Sequence, residues 1–397
     1  MSHMMQAEWL PAQLVASERG SFAEYTVRQR LPAQVLRVMA DNDFSAEIKQ
    51  ALQAFHDDIP NGILRPLTDR RDKWDQLGVG FFGRNWLEAP WLFVEIYFYR
   101  RLLEATQFFS NGIDPFRKQK AQAWQAAAPT IERITAQLSQ QSPSDLPQLL
   151  TQALWGNQAD LGLFPIGSQQ PATHQSARAA ATLIDDTAAV VAYFEQHKPL
   201  KRVDIILDNA GLEFVGDLCL ADFLLTHNYA VQIVLHCKAT PFFTSDVIEA
   251  DVAWTVATLA VHKNPATAQM GQRCQTYLAD GRLQLQAEAY WTAGLGYRPM
   301  DTALSADLAQ SDLLISKGDL NYRRWLGDRK WAYDTPFAKI VDYAPAPLLC
   351  LRTYKAPVAC GLAAAVTDRL FARDPDWHIS GRYGLIQFWA QKSIVGR

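Results

Sequence analysis

An apolar run that stops abruptly at polar residues constrains the fold of this chain more than any other feature. Residues 203–207 have the composition of a buried strand, and Asp208, Asn209 and a turn at Gly211 follow at once. The apolar residues 212–225 predict a helix after that turn. In an open α/β sheet, ligands bind in the crevice beside the carboxyl ends of the strands. The sequence therefore predicts an α/β fold with Asp208 and Asn209 at the mouth of such a crevice.

The side chains at this point have two interpretations. A carboxylate beside an amide oxygen supplies two hard ligands of the type that Mg²⁺ or Mn²⁺ prefers, and a helix amino terminus favours an anion such as phosphate. An isolated D-N-A-G sequence is also typical of a helix cap, in which Asp208 would only accept hydrogen bonds from the helix. Other polar residues that follow strands elsewhere in the chain favour the metal-site interpretation over the helix cap.

Three further strand-like runs end in polar residues. Residues 231–235 precede His236 and a second candidate carboxylate, Asp246, while residues 348–351 precede cationic side chains. The run 312–316 is followed by a mixture of lysine, aspartate, asparagine and arginine that suits an anionic, hydroxyl-rich ligand. Four strands would thus deliver polar residues to one edge of one sheet. The candidates after the last two runs are Lys317, Asp319, Asn321, Tyr322, Arg323 and Lys355.

The periodicity of apolar residues divides the chain into two parts. Residues 46–55, 92–108 and 121–138 show helical spacing, whereas helix-like and strand-like runs alternate after a helix predicted at 179–196. We expect a mainly helical amino-terminal domain at 1–165 and a Rossmann-like α/β/α catalytic domain at 166–397, with an exposed loop at 165–175. The fold class is α/β, a three-layer α/β/α core with a largely parallel sheet. Strands are predicted near 202–207, 231–236, 283–287, 312–316 and 347–352.

Composition excludes several classes of function. The 397 residues, 49% hydrophobic, can bury a large core, and a formal charge of −3 with a pI near 6.3 argues against nonspecific nucleic-acid binding. No apolar run reaches the length of a membrane span, since Glu95 interrupts the best candidate at 89–99. A signal segment is lacking and the five cysteines form no C-x-x-C pair, which predicts a cytoplasmic protein without disulfides.

The polar blocks also match a known pattern. They are D-N-A-G-L-E from Asp208, H-C-K-A-T-P-F-F-T-S-D-V from His236, S-K-G-D-L-N-Y-R-R from Ser316 and R-T-Y-K from Arg352, with W-G-N-Q-A-D-L from Trp155. A less specific match is P-W-L-F-V-E-I-Y-F-Y-R-R at 90–101. With these blocks the sequence resembles the metal-dependent damage-control phosphatase family, in the group also described as acidic-residue or protein-glutamate methyltransferase-like. The resemblance extends over most of the chain.

The resemblance implies roles for individual residues. Asp208, Asn209 and Asp246 would hold a divalent metal, Mn²⁺ or Mg²⁺, with Co²⁺ or Ni²⁺ also admitted. Glu213 is the position linked to S-adenosylmethionine in the methyltransferase interpretation. No residue of the amino-terminal region is assigned to the chemistry. The positions implied to contact substrate are Asp319, Asn321, Tyr322, Arg323 and Lys355.

We therefore expect a metal-dependent phosphatase acting on a small phosphorylated metabolite, with neither a nucleic acid nor a membrane as partner. The resemblance implies sugar phosphates such as fructose 1-phosphate or fructose 6-phosphate. Lys317, Arg323 and Lys355 are candidates to neutralise the phosphoryl oxygens, and either Asp208 or Asp246 could attack phosphorus directly or only bind the metal. The alternatives are an S-adenosylmethionine-dependent protein carboxyl methyltransferase and a noncatalytic binding protein.

Overall fold

The computed structural model describes residues 10–69, 74–138, 140–156, 178–294, 296–298 and 300–390, without the side chain of Asp75. The exposed loop predicted at 165–175 lies outside the described residues, as does most of the block that starts at Trp155. The domain boundary predicted at 165/166 lies there too, so that boundary stays a prediction.

The described residues form a seven-stranded sheet in the order β1-β7-β6-β5-β2-β3-β4. Every neighbouring pair is parallel except β6 and β7, which are antiparallel. The predicted α/β class with a largely parallel sheet is thus confirmed. The strands are β1 (Thr182–Asp185), β2 (Leu200–Ile206), β3 (Ala230–His236), β4 (Leu283–Gln286), β5 (Leu313–Lys317), β6 (Leu348–Thr353) and β7 (Gly384–Trp389).

One predicted helix is wrong, and two strands were not predicted. Residues 179–196 do not form one helix, because β1 occupies Thr182–Asp185 and the helix runs over Thr187–His197. The strand is only four residues long, and Leu183 and Ile184 continue an apolar spacing that also fits a helix. β7 is the other strand without a prediction, and it pairs with β1 and β6 at this end of the sheet.

Both faces of the sheet are covered, as its alternating side chains demonstrate. Ile205 and Ile315 belong to one apolar core, whereas their neighbours Ile206 and Leu314 belong to a second core on the opposite face. The first core contains helices Arg117–Leu138, Leu146–Trp155, Thr187–His197, Leu212–Thr226, Glu249–Ala260 and Pro265–Asp280. The second contains Thr302–Leu308, Gly318–Trp325, Phe337–Ile340 and Ala364–Arg373. The predicted three-layer arrangement is present.

The amino-terminal helices form a third apolar core. This core also includes Phe242, Leu320 and Ala356, which follow strands β3, β5 and β6. The helical part is therefore seated on the carboxyl edge of the sheet. The helices predicted at 46–55 and 92–108 are confirmed with shifted ends. The described elements are Phe22–Tyr25, a π-helical turn Thr26–Arg30, Leu31–Asp41, Ala46–Asp58, Trp74–Gly78, Trp91–Ala105 and Phe108–Asn111.

Two further expectations can be compared with the structure. All five cysteines are buried free thiols, as the absence of C-x-x-C pairs predicted. No helix in the described ranges combines the length and the hydropathy that crossing a membrane requires.

Candidate active site

A cavity of about 300 Å³ lies where the carboxyl ends of the strands meet the amino-terminal helices. Parallel strands deliver the residues that follow them to this edge, so side chains distant in sequence converge here. The predicted site residues that line the cavity are Asp208, Asn209, Asp246, Asp319, Arg323 and Lys355.

The loops after β2 and β3 are joined by main-chain pairing. Asn209 and Asp246 form an isolated antiparallel bridge, and the Val247 amide donates to the Asp208 carbonyl oxygen at 2.9 Å. The backbone, not the side chains, thus sets the two carboxylates beside one another. This pairing supports the site interpretation of D-N-A-G over a helix cap, since the helix that begins at Leu212 has no side-chain cap.

The two carboxylates are buried and repel one another. Burial, then the charges of Glu213 and Asp246, raises the pKa of Asp208 well above its ordinary value. Burial also raises the pKa of Asp246, although the Lys238 ammonium, 3.2 Å from Asp246 Oδ2, opposes the shift. Asp208 and Asp246 are 6% and 1% exposed, so water relieves little of this repulsion. A cation placed between the two carboxylates would relieve the repulsion.

The donor chemistry fits a hard divalent cation. The Asn209 amide donates to Asp208 Oδ2 at 2.6 Å and to Glu213 Oε2 at 2.9 Å, and its oxygen accepts from the Ser245 hydroxyl. Among the described residues, no three histidine, cysteine, aspartate or glutamate side chains are grouped to hold a metal. Two carboxylates and an amide oxygen nevertheless suffice for Mg²⁺, which keeps several waters and binds through one or two carboxylates.

Lys355 is the cation best placed for a bound phosphate. Lys355 lines the cavity and is half-buried, and its ammonium has no hydrogen bond or ion pair within the described ranges. Its positive charge opposes the rise in the pKa of Asp208. Asp319 fixes the backbone here, because its Oδ1 accepts from the Lys355 amide at 3.0 Å and from Arg352 Nε at 2.8 Å. Arg352 is fully buried and also donates to the carbonyl oxygen of Ala356 at 2.9 Å. The R-T-Y-K block therefore pairs one structural cation with one available cation.

Lys317 is placed differently from the prediction. Its ammonium is fully buried, 2.7 Å from Asp217 and 3.1 Å from Glu213, and it donates to the Ala153 carbonyl oxygen at 2.6 Å. Burial would lower the pKa of Lys317, but Asp217 and Glu213 raise it above its ordinary value. Burial raises the pKa of Asp217 to about 7 against the effect of Lys317. Lys317 does not line the cavity, so its expected contact with phosphate has no support in this placement.

Glu213 lies beneath the site, not in it. Its carboxylate is 4% exposed, it is held by Lys317 and Asn209, and it does not line the cavity. A methyl donor would need access that this position lacks. Its charge instead acts on Asp208 from behind.

Asn321 and Tyr322 also support the site from behind the cavity. Asn321 Nδ2 donates to the Leu207 and Lys317 carbonyl oxygens at 3.2 and 2.8 Å. The Tyr322 hydroxyl donates to Gln387 Oε1 at 2.8 Å. Neither residue lines the cavity, so their expected contact with a ligand has no support in this placement. Both residue types fit a binding loop by composition, and only the direction of the helix Gly318–Trp325 turns them inward.

Arg323 lines the cavity but is already engaged. Its guanidinium donates to Glu95 at 2.6 Å and to Asp328 at 2.7 Å, and it lies 3.8 Å from the centroid of a Trp91 ring. Buried ion pairs of this kind leave little free charge for a substrate. Arg323 therefore connects the sheet to the helix Trp91–Ala105.

The amino-terminal helices supply much of the cavity wall, which the sequence interpretation missed. Trp91, Glu95 and Tyr99 lie in the less specific block at 90–101, and Glu95, a charged residue within this apolar run, is 6% exposed. Thr26, Arg30 and Gln34 have no neighbouring motif. The wall residues from this part include Thr26, Arg30, Gln34, Trp91, Glu95 and Tyr99.

The fold and this site define an α/β protein of the ligand-binding kind, with carboxylates and a free cation gathered at the carboxyl edge of a parallel sheet. A family model described as the damage-control phosphatase ARMT1-like domain matches residues 23–370. The chain belongs to this family, as the sequence resemblance predicted.

Relatives of nearly equal length bear the same description. The chain is 33% identical to damage-control phosphatase ARMT1 of Xenopus laevis, over 95% of this chain and 98% of the relative. It is 32% identical to damage-control phosphatase ARMT1 of Mus musculus, with the same shares covered. A solved DUF89 family protein from Pyrococcus horikoshii has a TM-score of 0.50 at 13% identity, over 92% of this chain and 98% of that one. This last likeness concerns the fold alone.

Proposed function

We propose that this protein is a metal-dependent phosphomonoester hydrolase acting on small phosphorylated metabolites. Membership of the damage-control phosphatase family supports a hydrolase. One observation carries the proposal. Two buried carboxylates, an amide and the unpaired ammonium of Lys355 line a single cavity of about 300 Å³.

The residues divide the work as follows. Asp208, Asn209 and Asp246 would hold the divalent ion, which supplies Lewis-acid polarisation of the phosphoryl group. Lys355 stabilises charge on the phosphoryl oxygens, because its ammonium has no protein partner in the described part of the chain. Either Asp208 or Asp246 would attack phosphorus directly or would only bind the metal.

The cavity suits a small, hydroxylated substrate. Its volume lies at the lower end of the range for ligand pockets, about 300 to 1,000 Å³. Asp319 and Glu95 line the cavity and provide carboxylate oxygens as acceptors for hydroxyl groups. Fructose 1-phosphate and fructose 6-phosphate are the proposed substrates, and Mn²⁺ or Mg²⁺ the proposed metals, with Co²⁺ and Ni²⁺ as further candidates.

No contact among the described residues favours the methyltransferase alternative. Glu213 is buried beneath Asp208, is ion-paired with Lys317 and has no part in the cavity wall. The noncatalytic binding protein remains as an outcome of the experiment below.

The test is phosphate release from fructose 1-phosphate, fructose 6-phosphate and an aryl phosphate. The protein is stripped with a chelator and then given Mg²⁺, Mn²⁺, Co²⁺ or Ni²⁺ in turn. We expect release that requires metal and disappears in Asp208→Ala, while Asp43→Ala, at an exposed carboxylate, keeps wild-type activity. A folded protein that releases no phosphate with any metal would overturn the proposal. Binding of sugar phosphate without turnover would indicate the noncatalytic protein.

A further inference from the structure

Three polar side chains form one stripe on the amino-terminal wall of the cavity. Thr26, Arg30 and Gln34 follow one another at intervals of four residues and all line the cavity. Thr26 and Arg30 bound a π-helical turn, and Gln34 lies in the following helix Leu31–Asp41. Single π turns within helices are frequent at functional sites. The stripe faces the same space as Asp208 and Lys355.

Two polar atoms of the stripe have no hydrogen-bond partner among the described residues. Thr26 is 1% exposed and its hydroxyl makes no hydrogen bond, and the Gln34 amide nitrogen is buried and unpaired. Arg30 is exposed and makes no hydrogen bond or ion pair with a described residue; its guanidinium lies 5.4 Å from the Phe22 ring centroid. Burial raises the pKa of Glu95, and the charges of Arg323 and Arg30 oppose this rise. Native proteins leave few buried polar groups unpaired, and each needs an explanation. Two such atoms beside a guanidinium that makes no hydrogen bond with a described residue, on one wall of one cavity, indicate a ligand that supplies acceptors.

The stripe differs from the rest of the cavity in the chemistry it offers. Asp208, Asp246, Asp319 and Glu95 present carboxylate oxygens, whereas a hydroxyl, a guanidinium and an amide NH₂ offer hydrogen bonds to acceptors. A guanidinium also binds an oxyanion in preference to a neutral group. Since Lys355 is available for the phosphoryl group, the stripe is left for the other end of the substrate.

We propose that Thr26, Arg30 and Gln34 form a specificity subsite that binds acceptor oxygens on the leaving group of the phosphate ester. This inference rests on the proposed function and narrows its substrate class. The substrates are phosphate esters of oxygen-rich metabolites, and simple aryl phosphates lack the atoms that the stripe binds. The three residues position the substrate and take no part in bond cleavage.

The test compares Arg30→Met and Gln34→Met with wild type on three substrates. Phenyl phosphate offers the stripe no acceptor oxygen, glucose 6-phosphate offers hydroxyl groups, and 6-phosphogluconate adds a carboxylate. We expect kcat/KM for the two sugar derivatives to fall at least tenfold, with the value for phenyl phosphate within twofold of wild type. If Arg30→Met lowers kcat/KM more for 6-phosphogluconate than for glucose 6-phosphate, the ligand of Arg30 is an oxyanion. If the losses for these two substrates are equal, and phenyl phosphate is unaffected, the ligand is a neutral oxygen.

Matched controls lie on the same helix. Arg28→Met and Gln29→Met remove similar side chains that are exposed and do not line the cavity, so they should leave all three values unchanged. Equal losses on all three substrates, or no loss on any, would overturn the subsite. If wild type shows no turnover, calorimetric titration of the metal-loaded protein still decides. A tenfold loss of affinity for 6-phosphogluconate but not for inorganic phosphate in Arg30→Met would support the subsite, and unchanged affinity would overturn it.

Discussion

Gly318 leaves the space that the carboxylate of Asp208 occupies. A Cβ atom built on Gly318 would lie 2.1 Å from both Cγ and Oδ2 of Asp208, and the glycine has a φ of +83°. The backbone at the end of β5 thus approaches the carboxylate more closely than any side chain permits. Both the space and the conformation require glycine here.

Gly318→Ala should therefore displace Asp208. A shift of about 1 Å in a catalytic group can cost roughly 10²-fold in rate, so we expect at least that loss of phosphate release. Steady-state kinetics at saturating metal measures it. Gly216→Ala is the control, since its Cβ would meet no atom closer than 3.9 Å. Activity within twofold of wild type in Gly318→Ala would contradict the assignment of Asp208 to the site.

Lys355→Met should remove charge stabilisation without unfolding the protein. The ammonium makes no hydrogen bond or ion pair with a described residue, so its loss breaks no contact, although the buried Asp208 carboxyl loses a favourable charge. By analogy with the removal of one oxyanion donor, kcat/KM should fall about 10²-fold to 10³-fold. The measurement is phosphate release together with a thermal melt. Lys201→Met, at an exposed lysine, should change neither. A lower melting temperature with unchanged kcat/KM would show that Lys355 is structural.

Lys317→Met should act on stability first. Its ammonium lies within 3.1 Å of Glu213 and within 2.7 Å of Asp217, and both carboxylates are buried. Removing one partner of a buried ion pair costs about 3–5 kcal/mol, because the remaining charges are left uncompensated. Urea unfolding measures the change. If Lys317→Met has wild-type stability and loses only substrate affinity, the result would support the original prediction that Lys317 contacts phosphate.

Acid should destabilise the protein through Asp204. Burial would raise the pKa of this carboxyl, but contacts with His236 and Arg202, at 2.7 and 2.8 Å, hold it below its ordinary value. A carboxyl with a lowered folded pKa stabilises the fold above its unfolded pKa, about 3.9, and this stability is lost as the pH falls through the folded value.

The free energy of unfolding should therefore fall more steeply below about pH 4 in wild type than in Asp204→Asn. Urea titrations across that range compare the two slopes, with Asp43→Asn as a control at an exposed carboxyl. Parallel curves for all three proteins would refute this role of Asp204.

Much of the sheet could be predicted from the sequence, because strands buried on both faces are continuous apolar runs. The last four residues of β2 and of β3 and all five of β5 are buried and mostly apolar, and each strand ends within two residues of its predicted end. β1 has only four residues, none of them fully buried. Its apolar residues were therefore assigned to the helix that follows it. Short strands at the end of a sheet carry too few core contacts to impose a clear period.

The candidate site was predictable where a residue ends a strand. Asp208 and Asp246 line the cavity, because the neighbouring strands β2 and β3 bring their loops to one edge and main-chain pairing joins those loops. Lys317 was predicted to contact phosphate because lysine is typical of phosphate sites. The residues around it in the sequence do not reveal that its ammonium is paired with Asp217 in the helix Leu212–Thr226. Thr26 and Gln34 lie in a helix with no motif, and only tertiary packing places them against the carboxyl edge.

The cavity has two walls that come from separate stretches of the chain. The residues proposed for phosphate and metal follow strands of the sheet, whereas the Thr26–Arg30–Gln34 stripe lies near the start of the sequence. The two stretches meet only through packing, so mutations can accumulate in one without altering the other. Divergence along the first helices would then change which metabolite is accepted while leaving the reaction intact. Relatives that share the strand-end residues but differ at the positions of Thr26, Arg30 and Gln34 should therefore hydrolyse different phosphate esters by the same reaction.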